Sequence, residues 1–429
     1  MVGFILLTVY ILFILSEKLF FLLSESSFKA SAIGKVDFAI LFLMFIVGAL
    51  SFLGTRIRKI KPRVKVIKKA LSFKTLALIG GIIITIGLSF YLNSHKRVQE
   101  WDSVALYDAR AKFLKSGISF SEMTQFSKYD EISYYYLMYP PFTSIAHYFW
   151  DVSGTRLPVS LFYSFYLLFF AVTIFFLTRE LLGDKLSLIL TFLTVTSKDI
   201  FVLSILEYTN LPFTTNIVLG IILLLSYLKR PVWWKFLYAI FLIATSQWIR
   251  YLEPVWLLSL LVFGVVSYDR KTWKRWFLIN LIFLGVGLLE YVSWGYFTKI
   301  VARSPSSVSF SLNDIGIAIK GIISIRPIEA VIELFNSFGI LSLGYALLVV
   351  SGILFYKALT QKKELLLLWL FEFLCIPFYF SAIYFSSFKG DWWNTLSGSI
   401  GRSASFMIPV GLMYLLMIIK NVPILRNKR

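Results

Sequence analysis

The stretch LSFKTLALIGGIIITIGLSFYL, residues 71–92, is followed eight residues later by Glu100-Trp101-Asp102. Its reading decides the class of the molecule. A run of this length, broken by one lysine, is long enough to cross ~30 Å of hydrocarbon at ~1.5 Å per residue. The polar stretch that follows therefore begins where a lipid-spanning helix meets water.

Working outward from it, similar runs recur at 4–23 and 36–53 before it. After it they recur at 159–178, 186–205, 211–228, 235–250, 254–268, 275–296, 337–357, 364–385 and 403–420, about twelve in all. The expected fold class is an all-α integral membrane bundle. The hydrophobic fraction of 58% agrees, since soluble domains are roughly half apolar. Glu17-Lys18 interrupts the first run and reads as an early helix end or an interfacial segment. No positive region precedes that run and no small-residue cleavage site follows it, so a cleaved signal peptide is not expected.

A net charge of +20 could suggest nucleic acid. The distribution argues against such a partner. Arg56, Arg58, Lys59, Lys61, Arg63, Lys65, Lys68 and Lys69 crowd one short linker. Arg179/Lys185, Lys229/Arg230/Lys235, Arg270/Lys271/Lys274/Arg275, Lys357/Lys362/Lys363 and the tail Arg426-Lys428-Arg429 fall on the same side of the expected bundle. By the positive-inside rule that side is cytoplasmic, with both termini on it. The loops 93–158, 206–210, 297–336 and 386–402 are then outside. The expected organisation is a transmembrane hairpin (1–53), a basic cytoplasmic linker (54–70), a main transmembrane domain (71–420) and a cytoplasmic tail (421–429). The single cysteine, Cys375, lies in an apolar run and allows no disulfide framework. A composition rich in Phe, Ile and Lys suits a prokaryotic inner (plasma) membrane.

The first outer loop has structure of its own. Trp101, Ala105, Ala109 and Phe113 recur every fourth residue, with Asp102, Ser103, Asp108, Lys112 and Lys115 opposite. This predicts an amphipathic helix of about 15 residues lying on the membrane surface and stopped by Gly117. A Tyr-rich segment follows, 126–139, and Pro140-Pro141 opens a second amphipathic stretch over 142–150.

The candidate site residues share one side. They are Asp102 at the start of the surface helix, Tyr139 before the prolines, and Glu207 with Asn210 in a very short turn. Arg250 and Glu253 stand where two short spans meet, and Arg402 opens the last span. Each has an ordinary reading as well: an N-cap for Asp102, turn residues for Glu207 and Asn210, a hairpin-closing pair for Arg250 and Glu253. Arg402 could snorkel to headgroups, and Tyr139 could belong to an aromatic belt.

The segments Trp101-Asp102-Ser103, Tyr107-Asp108-Ala109, Gly117 and Tyr139-Pro140-Pro141 resemble the first outer loop of the GT-C superfamily of polytopic glycosyltransferases. The branch concerned is that of protein O-mannosyltransferases and aminoarabinose transferases. The turn at 207–212, Arg250-x-x-Glu253 and Arg402 through Pro409 follow in that superfamily's order, so the resemblance covers most of 71–420. Three departures stand out. Ser103 replaces the second acid of the usual Asp-Glu pair. Asn210 stands where an acid is common, with Glu207 as a nearby substitute. No lysine or acid stands immediately before Pro140-Pro141, which argues against aminoarabinose transfer.

The resemblance implies a GT-C-like fold and transfer of a hexosyl or pentosyl group from a polyprenyl-phosphate carrier. The acceptor would be a hydroxyl of a lipid, glycan or protein outside the cytoplasm, with membrane lipids as further partners. Asp102 would be the general base, Arg402 and Arg250 would hold the carrier phosphate, and Glu207 would orient sugar or acceptor. A single displacement would invert the anomeric centre. No cofactor is demanded by these residues; a divalent cation, Mg or Mn, is left open, though no metal cluster is recognisable. Nucleotide-binding motifs are absent. The competing readings are a transporter or flippase, a polymerase or ligase of lipid-linked glycans, and an inactive scaffold of the same fold.

Overall fold

The computed structural model describes residues 1–25, 31–57, 72–95, 102–123, 139–251, 253, 255–301, 312–385 and 392–421. Every regular element among them is helical. In chain order, α1 is Val2–Ser24, α2 Ala32–Ile57 and α3 Phe73–His95. A π-turn, Ser103–Asp108, leads into α4, Ala109–Lys115; α5 is Phe120–Met123 and α6 Phe142–Val152. Then come α7 (Leu161–Leu182), α8 (Asp184–Thr196), α9 (Lys198–Leu203), α10 (Asn210–Lys229) and α11 (Trp233–Thr245). The second half holds α12 (Val255–Ser267), α13 (Trp273–Tyr296), α14 (Leu312–Ile323), α15 (Arg326–Phe338), α16 (Ile340–Leu354) and α17 (Tyr356–Gln361). It ends with α18 (Lys363–Leu374), α19 (Trp392–Ser403) and α20 (Met407–Asn421). A π-helical segment, Cys375–Tyr384, prolongs α18.

Seven helical stretches are long and apolar enough to cross a bilayer: Val2–Ser24, Ala32–Thr55, Phe73–His95, Leu161–Leu182, Asn210–Lys229, Arg270–Val301 and Lys363–Ala382. The chain is a multi-pass membrane protein. The other five expected spans are helical but short or divided. The run 186–205 breaks at Ser197, whose backbone is extended, into α8 and α9. Helices α11 and α12 have 13 residues each, and α16 and α20 have 15 each. Thirteen residues make only about 20 Å.

Glu17 and Lys18 do not end the first helix. α1 runs unbroken through them, and both side chains are buried inside the protein. The physical reason is partnership: Lys18 meets acids from two other helices, described below.

The central helix is α10. Nearly every residue from Asn210 to Tyr227 is buried, as its apolar character all round requires. It packs against α11, α7, α18, α12 and α20. α1 lies on α7, and α2 lies on α11 and α13. Phe4 stacks on Phe52, and Trp234 meets both edge-on. Gly48 has a specific role there: a Cβ at that position would stand 2.3 Å from the Tyr238 ring. Exposed Ile83, Ile84, Val265 and Ile353 face outward from the bundle, as lipid-facing side chains do.

The two ends of the bundle differ in chemistry. At one end Lys235 and Arg230 pair with Glu180, Lys229 donates to the Glu180 carbonyl and Lys420 to that of Leu181. Lys362 reaches Asn421, and Lys363 reaches the carbonyls of Ser267 and Tyr268. The basic groups expected on one side thus gather at one end. The crowded linker (58–71) and the tail from 422 lie outside the described residues. α3 runs to the opposite end, where Asn93 donates to Ser164 and to the Ser204 carbonyl, both at 2.8 Å.

Candidate functional site

At that opposite end, α11 and α12 are too short to reach the bundle's limit. Their junction, a 3₁₀ turn at Ser246–Trp248 followed by Arg250 and Glu253, is set into the protein. Arg250 and Glu253 form a buried ion pair. Glu253 also accepts from the Tyr379 hydroxyl. Arg250 donates to Ser403 Oγ at 3.4 Å, and its guanidinium stands 5.8 Å over the Phe213 ring. Tyr384 donates to Ser403 at 3.0 Å, and Ser399 donates to Tyr384 at 3.1 Å. The pair therefore joins α10, the π-helical segment and α19; it does more than close a hairpin.

A wall stands above this floor. Asp102 has helical φ and ψ and makes no side-chain cap to its own turn. The capping role expected for it is not used. The following π-turn changes the predicted face of the surface helix. One extra residue per turn rotates everything after it. Ser103, Leu106, Tyr107, Arg110, Ala111 and Leu114 are buried, while Ala105, Ala109 and Phe113 are half-buried. The helix packs on α6 by that face, and Tyr107 and Arg110 find polar partners beyond it. Tyr107 hydrogen-bonds Thr209, and Arg110 donates to the Tyr139 carbonyl at 2.9 Å. Gly117, with φ +80°, ends α4 as expected. Glu100, Trp101 and the Tyr-rich residues 126–138 lie outside the described residues.

Tyr139 is half-buried, with its ring edge-on to Tyr107 at 6.3 Å. Burial pushes its hydroxyl above the usual tyrosine range. Arg250 and Arg402 oppose that rise, and Asp102 and Glu253 add to it. Four of the five charged candidates, all but Glu207, therefore act on one phenol. Tyr107 is also raised, mainly by burial and then by Tyr139, and it too feels Arg250 and Asp102. Tyr139 belongs to this cluster, not to an aromatic belt.

Arg402 does not open the last span. It lies in α19, ahead of a turn at 404–406 and the start of α20 at Met407. Its guanidinium stacks 5.0 Å over the Tyr208 ring. Glu207 is fully buried; its carbonyl accepts from Ser103 Oγ at 2.6 Å, and its carboxyl acts on Tyr163. It stands behind the cluster, on the side of His147, which meets the Tyr163 hydroxyl at 3.0 Å. Asn210 is buried in the first turn of α10. Beside the cluster, where Asp199 comes up to Gly401, a groove of about 460 Å³ is lined by Ser197, Lys198, Asp199, Asn336 and Ser337.

The structure thus brings together Asp102, Tyr139, Arg250, Glu253 and Arg402, while the Glu207 carboxyl acts on Tyr163. Sequence reasoning missed Tyr107, Tyr208, Thr209, Tyr379, Tyr384, Ser399 and Ser403. Pro377, inside an expected span, was the available sign of an irregular helix beside Tyr379 and Tyr384. Among the described residues, no three His, Cys, Asp or Glu side chains form a group able to hold a metal ion. No protein-family model matches the chain, and no curated protein or solved structure is similar to it.

Proposed function

We propose that this protein is a membrane glycosyltransferase of GT-C type. It would move a sugar from a polyprenyl-phosphate carrier to an acceptor hydroxyl on the non-cytoplasmic face. The single observation that carries the reading is the gathering of Asp102, Arg250 and Arg402 around Tyr139, at the end of the bundle opposite the basic one. By the positive-inside rule the basic end is cytoplasmic, so the cluster faces outward, from an inner or plasma membrane.

The chemistry suits these groups. Asp102, half-buried and not used as a cap, takes the proton of the acceptor hydroxyl. The acceptor oxygen attacks the anomeric carbon as the bond to the phosphate oxygen breaks. The electron pair leaves on that oxygen, giving free polyprenyl phosphate and inversion. A lipid phosphate departs without the general acid a glycosidase needs. Arg402, half-buried over Tyr208, and Arg250 are the cations available for its charge. The Arg250–Glu253 ion pair then forms the floor of the site. A divalent cation needs several hard oxygen ligands. Among the described acids near the cluster, Glu253 is held by Arg250 and Tyr379 and Glu207 turns to Tyr163. Among the described residues no group of acids able to hold a metal ion forms, and no step is routed through one.

The test uses purified protein in nanodiscs with a panel of polyprenyl-phosphate sugars, following release of polyprenyl phosphate. One donor should turn over, and Asp102→Asn should lower its rate by ~10²–10⁴-fold. Full activity in that variant would remove the base assignment. Donor binding without turnover would favour an inactive scaffold. A transporter is the second reading, favoured by charged residues buried within the spans (Lys18, Asp37, Glu290). Alternating accessibility of the cluster from the two membrane faces, without turnover, would establish it.

A further inference from the structure

Three ionisable side chains from three different spans meet inside the bundle. They are Lys18 of α1, Asp37 of α2 and Glu290 of α13, each no more than 5% exposed. Lys18 Nζ donates to Asp37 Oδ2 and to Glu290 Oε2, both at 2.8 Å. Ser293 donates to the same Asp37 oxygen at 3.2 Å. The ammonium also sits 4.6 Å over the Trp248 ring. Lys18 is seven residues, or about 10 Å along the helix, from Glu25, whose carboxyl accepts from Ser121 at the site end of the bundle. The cluster is therefore below the end of the helices, not among the headgroups.

Its charges do not balance. One ammonium faces two carboxyls, and both are held at 2.8 Å from the same Lys18 Nζ, which brings them side by side. Asp37 Oδ1 and Glu290 Oε1 have no donor among the described residues. Ionising both carboxyls would leave a buried net negative charge that one ammonium cannot neutralise, with the two carboxylates repelling by ~4 kcal/mol at ~4 Å and an effective dielectric constant of ~20. Among the described residues, the other titratable groups on the packed elements do not compensate; Lys35, two residues before Asp37 on α2, is exposed. Glu17 of α1 is buried and acidic, Tyr291 of α13 stacks on Tyr251, and the 3₁₀ turn offers only the ring face of Trp248. Arg250, two residues beyond Trp248, is taken by Glu253. A proton on one carboxyl makes it a donor to the other, and leaves a neutral set of one ammonium, one carboxylate and one acid.

We infer that Asp37 and Glu290 form an intramembrane binding site for a single proton, held as a carboxylic acid bonded to a carboxylate with Lys18 bridging both. The bound proton ties the N-terminal hairpin to α13. Through Lys18 on Trp248 it also braces the turn that carries Arg250 and Glu253. Loss of the proton sets a second negative charge against Lys18 and loosens that brace. None of this rests on the transferase reading.

The wild-type protein tests it directly. An apolar carbodiimide (dicyclohexylcarbodiimide) adds to protonated carboxyls in apolar surroundings, and peptide mapping locates the adduct. One adduct at the pair, on Asp37 or Glu290, is expected. Glu17 and Glu372, buried carboxyls elsewhere in the bundle, report whether the reagent reaches the interior. Labelling at either of these with none at Asp37 or Glu290 overturns the proposal. So does protection of the pair by sodium or potassium at constant pH, which would assign it to a metal cation. In infrared spectra, Asp37→Asn and Glu290→Gln should each abolish the same protonated-carboxyl band. Persistence of that band in both variants would also sink the idea.

Discussion

Replacing Glu253 with glutamine removes the charge that Arg250 faces without changing the side chain's size. Arg250 then keeps a full positive charge in a site where its side chain is 13% exposed. Tyr379 and Ser403 lose the carboxylate they bond. Breaking a buried ion pair by removing one partner costs ~3–5 kcal/mol, mainly through the charge left behind. The same protein supplies a control in Arg179 and Asp184. That pair stands at 2.5 Å, but its side chains are 43% and 69% exposed. Solvent and salt screen it, so Asp184→Asn should cost at most ~1 kcal/mol. The chain contains its own reporter, since Cys375 is its single cysteine and fully buried. It opens the π-helical segment that holds Tyr379. A fluorogenic maleimide therefore reads the opening of this region on heating, with no engineered probe. Glu253→Gln should lower the midpoint several times more than Asp184→Asn. Equal small shifts would refute the reasoning, because they would mean that water already screens the floor of the cluster.

Other consequences can be read with the same reporter or with the transfer assay. Ser103→Ala removes the 2.6 Å bond to the Glu207 carbonyl and should cost about 1 kcal/mol. Ser103→Glu, which would restore the acid pair of the resembling family, should cost more than that, since Ser103 is fully buried. Burial pushes the His147 imidazole down from 6.5 to about 4, with Asp108 opposing. Its folded value is the lower one, so its contribution is complete above 6.5 and is lost as pH falls toward 4, by about 3 kcal/mol in all. The midpoint of His147→Gln should fall less steeply than that of the wild type between pH 6.5 and 4; parallel curves would assign the acid sensitivity elsewhere. Arg402→Lys keeps charge but loses the planar stack on Tyr208 and the bidentate fork. It should raise the donor KM and retain more activity than Arg402→Gln; equal loss in both would tie the role to shape, not charge.

Much of the architecture was legible because lipid imposes a simple rule on length and polarity. The seven long helices fall on seven of the expected runs, and the basic residues of several loops meet at one end. Gly117 was readable because a helix end needs a left-handed residue. What hid the rest was tertiary partnership. Four-residue spacing could not reveal that a π-turn would bury Tyr107 and Arg110, whose partners are Thr209 and Tyr139, far along the chain. Lys18 looked like a helix end because its two acids lie 19 and 272 residues away. Tyr379 and Tyr384 read as part of an apolar span, yet one bonds Glu253 and the other Ser403.

The short helices explain why the cluster exists where it does. A 13-residue helix cannot cross ~30 Å of hydrocarbon. When two such helices are joined end to end beside full-length neighbours, their junction is left below the surface. Irregular backbone at that depth is tolerated only where protein or water satisfies it. Here the Ile249 and Arg250 amides donate to the Ser246 carbonyl and the Val255 amide to that of Glu253, while Arg250 donates to Ser403, Glu253 accepts from Tyr379, and Lys18 lies against the preceding Trp248. A recess floored by the Arg250–Glu253 ion pair and walled by Asp102, Tyr107 and Tyr139 follows from that geometry. Lengthening α11 by one helical turn ahead of Ser246 would raise the junction by about 5 Å. Such an insertion should separate Arg250 from Ser403 and Glu253 from Tyr379, abolish donor turnover and expose Cys375 to maleimide at a lower temperature. Retained turnover would show that the recess is not what makes the site.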